Sequence, residues 1–106
     1  MPKFLVEVSY TAEGLKGLRK DKAAGRTAAV KSALKAVDGQ LEALYWCLGE
    51  RDAIAILDIP DMAAAAALST AISASGSVRT RTTPLLTAAE LDAASLKSID
   101  YRAPGR

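Results

Sequence analysis

Residues Gln40 to Ile59 constrain this chain more than any other stretch. They read Gln-Leu-Glu-Ala-Leu-Tyr-Trp-Cys-Leu, then Gly-Glu-Arg-Asp, then Ala-Ile-Ala-Ile-Leu-Asp-Ile. Two runs rich in apolar and aromatic residues flank a short polar turn containing Gly49, which is the pattern of a β-hairpin. The rest of the chain can be placed as partner strands or covering layers of that hairpin.

Ahead of it, Lys3 to Tyr10 alternates with a period of two, as a strand does. Phe4, Val6, Val8 and Tyr10 lie on one face and Leu5, Glu7 and Ser9 on the other. Thr11 can cap a helix that follows directly. Gly14 and Gly17 weaken its first part, and Asp21 to Gly25 reads as a break or kink. From Arg26 the helical signal is firm, with Val30, Ala33, Leu34 and Val37 at helical spacing. Asp38-Gly39 ends it, with Gly39 suited to a left-handed cap.

The second strand is expected over Gln40 to Leu48. Leu41, Ala43, Tyr45 and Cys47 share one face, and Leu44, Trp46 and Leu48 the other. The third strand, Ala53 to Asp58, is apolar on both faces, as a central strand should be. Asp61 caps an alanine-rich helix that Gly76 ends. A fourth, threonine-rich strand runs to about Leu86 with Arg79 and Arg81 on one face; Pro84 confines it to an edge or a bulge. Thr87-Ala88-Ala89-Glu90 is a capping box that opens a short third helix to about Lys97.

The order β-α-β-β-α-β, plus that short helix, predicts an α+β fold of the ferredoxin-like split βαβ type. Its four-stranded antiparallel sheet would carry both long helices on one face, with the first and third strands central. At 106 residues one domain is expected over 1–106, with 97–106 as an extended tail.

Such a sandwich leaves one sheet face bare. Alternation assigns Leu5, Glu7, Ser9, Leu44, Trp46, Leu48, Arg79 and Arg81 to it; one bulge would swap the faces. Leu5, Leu44, Trp46 and Leu48 would form an apolar patch that a monomer seldom leaves uncovered. Pairing two sheets face to face would bury it, in a dimeric α+β barrel-like assembly. A pocket between sheet and helices often accompanies that arrangement.

Composition narrows the function classes. The net charge of +2 does not imply nucleic acid. Its distribution is uneven, with seven bases against Glu13 and Asp21 between Thr11 and Val37. That reads as a solvated helix face, or as an anion-binding surface. Cys47 is the sole cysteine, so no internal disulfide forms and a reducing, cytoplasmic setting is expected. No apolar run reaches membrane length. Histidine is absent, which removes the commonest general base and metal ligand; no Cys/His cluster for zinc and no phosphate loop is present. The expected set is therefore no metal, no cofactor and no membrane, with nucleic acid disfavoured as a partner.

Several stretches together resemble the GYD-domain proteins, a family of small and mostly uncharacterised bacterial and archaeal proteins. They are the opening Lys3 to Leu18, the hairpin Gly49-Glu50-Arg51-Asp52, Pro60-Asp61, the strand Gly76 to Thr87, and the closing Tyr101-Arg102-Ala103-Pro104-Gly105. In the family's naming motif of Gly, a variable residue, Tyr and Asp, Gly49 and Asp52 match and Arg51 stands in the tyrosine place. The resemblance implies a ferredoxin-like fold and oligomers. It implies no known reaction.

Candidate ligand residues are Tyr10, Tyr45, Gly49, Arg51, Asp52, Arg79 and Arg81. Gly49, through a positive φ, and Asp52, through bonds to nearby amides, also read as turn residues. Tyr10 reads as core with its hydroxyl at a rim, or as a donor in a pocket. Arg79 and Arg81 can grip a carboxylate or phosphate together, or pair with Glu7 or Glu42. Cys47 reads as a buried thiol. Three functions follow: a self-associating, small-molecule-binding or assembly module, a cofactor-independent enzyme of the dimeric α+β barrel type, or an anion or nucleic-acid binder.

Overall fold

A computed structural model describes residues 1–106. Strand β1 (Lys3–Tyr10), helix α1 (Ala12–Lys35), strands β2 (Gln40–Trp46) and β3 (Ala53–Asp58), helix α2 (Met62–Ala74), strand β4 (Val78–Leu85) and helix α3 (Ala88–Ser95) succeed one another. The sheet has the order β2-β3-β1-β4, and every neighbouring pair is antiparallel. This is the expected ferredoxin-like topology. β1 and β3 are central, and Pro84 lies on the edge strand β4 opposite Phe4, where its missing N–H costs no ladder bond on the outer side.

Local chemistry sets the element ends. Thr11, Asp61 and Thr87 cap α1, α2 and α3 by accepting from the backbone N–H groups of Gly14, Ala64 and Glu90. Glu90 returns a bond to the Thr87 amide and completes the capping box. Gly76, with φ +76°, closes α2. The end of α1 differs from expectation: Asp38, at φ 56°, takes the left-handed place, not Gly39. The Gly39 N–H reaches back to the Leu34 carbonyl at 2.8 Å. Gly39 is needed for a different reason, since a Cβ there would press on the Asp58 carbonyl and Leu34. The expected break in α1 falls at Lys22, where φ is 64° and ψ 171° inside an otherwise continuous helix. Gly49 has no positive φ and nothing near its Cβ position, so the conformational need inferred for it does not exist.

One irregularity in β2 decides what each face of the sheet carries. Leu41 stands opposite Leu57, but Ala43 stands opposite Ile56, so a bulge lies at Glu42. Beyond it every side chain changes face. Leu44 and Trp46 therefore lie with Ala55 and Ala53 under the helices, not on the bare face, and Tyr45 moves to the bare face beside Ile54. Leu48 belongs to neither, being fully exposed in the hairpin loop. The face assignment of Leu5, Glu7, Ser9, Arg79 and Arg81 agrees with the register.

The core is tight at one end. Phe4, Leu57 and Ile59 from the sheet side meet Leu34 of α1 and Ala65 and Leu68 of α2. Towards the other end Val8, Tyr10 and Trp46 are only half-buried. The start of α1 is held there by Thr11, whose N–H donates to the Ser77 carbonyl at 3.0 Å. Helix α3 buries none of its residues, and Leu91, Leu96, Ile99 and Tyr101 of the arm from α3 onwards all stand exposed. No helix is long and apolar enough to cross a membrane.

Candidate functional site

Small residues face one another across the half-open end of the core. Ala53 and Ala55 of β3, Ala29 and Ala33 of α1, and Ala65 of α2 leave space that larger side chains would fill. The result is a cavity of about 100 Å³ between sheet and helices, lined almost wholly by apolar groups. Its few polar members are Tyr10, Trp46, Arg26, Ser69, Thr80 and Thr82. The Ser69 and Thr80 hydroxyls bond each other at 3.2 Å. The indole N–H of Trp46 is shut off from solvent and has no hydrogen-bond partner. A buried donor left unpaired costs about 1–3 kcal/mol, a local cost carried by the packing around Trp46. Arg26 is half-buried, and its nearest acid, Asp21, lies at 3.9 Å. That pair is loose, and the guanidinium keeps its donors.

The bare face carries a second, polar depression of about 290 Å³ formed by Glu7, Ser9, Arg51, Arg79, Thr80 and Arg81. Arg79 stands opposite Ser9 and Arg81 opposite Glu7 in the register. Glu7 pairs not with Arg81 but with Arg51, at 3.5 Å. Arg79 and Arg81 make no ion pair with Glu7 or Glu42 within 4 Å; Glu42 is taken by Lys3. Beside this depression runs an apolar stripe of Leu5, Ile54, Ile56 and Tyr45, with Tyr45 67% exposed. At the far end Lys3 bridges Glu42 and Asp58, the latter at 2.9 Å. Those bonds, Glu42 first, raise its pKa above the ordinary lysine value.

Of the candidates named from sequence, the structure brings two groups together. Tyr10 lines the cavity, and Arg51, Arg79 and Arg81 share the polar depression. Tyr45 lies on the same face as that depression, and Gly49 lines neither hollow. Asp52 is a clamp: its carboxylate accepts from the Tyr10 amide at 2.8 Å, its own amide donates to the Val8 carbonyl, and its carbonyl accepts from Cys47. It thus ties the hairpin to the end of β1. Cys47 is half-buried, more accessible than its apolar neighbours implied. Sequence reasoning passed over Arg26, counting it among the solvated bases of α1, and left Ile54 and Ile56 out of the bare-face set. The helical spacing of Arg26 with Ala29, Val30 and Ala33 was the available signal for the first.

No group of three or more His, Cys, Asp or Glu side chains is placed to hold a metal ion. No curated protein and no solved structure matches the chain. The family model for the GYD domain matches residues 4–95, from the first core residue of β1 to the last residue of α3. The match takes in the sheet, both long helices and the hairpin with Gly49, Arg51 and Asp52, and on that extent the chain belongs to the GYD domain family.

Proposed function

We propose that this chain is a self-associating small-molecule-binding module. Copies pair through the bare sheet face, and each protomer keeps a pocket between its sheet and its helices. The observation that carries the reading is the apolar cavity between sheet and helices, with Arg26 the one charged group in its lining. A concave, largely apolar site with a few convergent polar groups is what small ligands use.

The self-association half rests on the uncovered face. Leu5, Ile54, Ile56 and Tyr45 form a stripe across three strands with no helix over it. Sheet-on-sheet packing buries such a stripe. Light scattering over a dilution series tests it, with Ile56→Lys beside the native chain. A dimer or larger ring that the variant breaks is expected; a monomer in both removes the assembly half. Mass spectrometry of the purified protein under native conditions tests the other half through a retained small molecule.

A further inference from the structure

The ligand of the cavity belongs to a definite chemical class: we propose a monocyclic or short branched-chain carboxylic acid, bound as its anion. The inference rests on the reading of the cavity as a binding site and goes on to name what fills it. Size sets the body of the ligand. An apolar cavity of about 150 Å³ takes up benzene, so about 100 Å³ with an open side sets one ring or a short branched chain as the upper limit. The walls of Val6, Val8, Val30, Ala53 and Ala55 offer that body no polar partner.

Charge sets the head. The one charged group in the lining is the Arg26 guanidinium, whose ion pair with Asp21 is loose. No carboxylate lines the cavity, so nothing inside repels an anion. The Ser69 and Thr80 hydroxyls bond each other, and the neutral Tyr10 and Thr82 hydroxyls can donate or accept. A cationic ligand, such as an amine, would set its charge beside Arg26. A carboxylate accepts from the guanidinium, and such a charge-assisted bond is the stronger kind.

Trp46 is the chain's only tryptophan, so its fluorescence reports on the cavity directly. Benzoate and its uncharged counterpart toluene are titrated into the full chain, into Arg26→Gln and Arg26→Lys, and into Ala29→Phe, which fills the cavity mouth. Benzoate should bind saturably and about tenfold tighter than toluene. Arg26→Gln should erase that preference without weakening toluene, Arg26→Lys should restore much of it, and Ala29→Phe should weaken both ligands. Toluene binding as tightly as benzoate, or a preference that Arg26→Gln leaves intact, overturns the acid proposal while the cavity still stands as a binding site. If neither ligand changes the Trp46 signal, or Ala29→Phe binds as the native chain does, the cavity reading and the acid proposal fall together.

Discussion

Gly14 and Gly17 are one helical turn apart in α1 and have opposite worth. A Cβ on Gly14 would lie 2.0 Å from the Ser77 carbonyl oxygen, where the helix start docks on the turn before β4. Nothing lies within 4 Å of the same position at Gly17. Gly14→Ala should therefore destabilise the protein by about 1–3 kcal/mol through overpacking. Gly17→Ala should stabilise it by about 0.5–1 kcal/mol, since alanine loses less entropy in a helix. Urea unfolding of both variants checks the pair, and equal effects would contradict this account of Gly14. Asp52 gives a second test at this scale. Asp52→Ala leaves the half-buried Tyr10 amide without its acceptor and should cost about 1–3 kcal/mol. Asp52→Asn keeps an oxygen that can accept and should cost less. Sequence showed that Asp52 would bond backbone amides, but not that the amide belongs to a residue 42 positions away. Turn chemistry reads nearest neighbours, and the clamp is made by folding.

The elements show where local rules are sufficient and where strain intervenes. Lys22 holds φ 64° and ψ 171°, a combination that glycine adopts and other residues adopt only under strain of about 1–3 kcal/mol. Lys22→Gly should raise the unfolding free energy by about 1 kcal/mol even though it puts glycine in a helix, and Lys22→Ala should not. Helix α3 behaves as a separate unit, because it has a full capping box and no tertiary contact that buries it. The bonds from Thr87 lower the Glu90 pKa below the ordinary carboxylate value. A lowered folded pKa means that the stabilisation is present above the ordinary glutamate value and is lost as pH falls through the folded one. Amide exchange should thus show α3 fraying below about pH 4 while the sheet stays protected. Protection of the Thr87 amide that persists at acid pH would remove the carboxylate from the cap.

At the scale of the molecule the chain is elongated. Its radius of gyration is 16.9 Å and its longest dimension 56 Å, against about 13 Å expected for a compact chain of 100 residues. Some of that reach belongs to the α3 arm, whose Leu91, Leu96, Ile99 and Tyr101 stand in solvent. An eight-residue helix is marginal in water by itself, so the arm gains most from a second surface. Removing residues 87–106 should therefore weaken self-association more than it lowers the stability of the remaining sheet and long helices. Sedimentation at several concentrations, with thermal unfolding alongside, separates the two effects. An arm that is irrelevant to assembly would leave the sedimentation profile unchanged.

The order of elements, their N-caps, the central place of β3 and the edge place of β4 were all legible along the chain. Those features are set by period, by capping bonds within four residues and by Pro84, all of which act locally. Which side of the sheet Leu44, Tyr45 and Trp46 face was settled by strand pairing. The bulge at Glu42 inserts one residue without any turn residue to announce it, and a period of two carries the error to every position that follows. The cavity arose in the same way. Alanines on three elements are unremarkable one by one, and become a hollow only when the fold sets them opposite one another between sheet and helices.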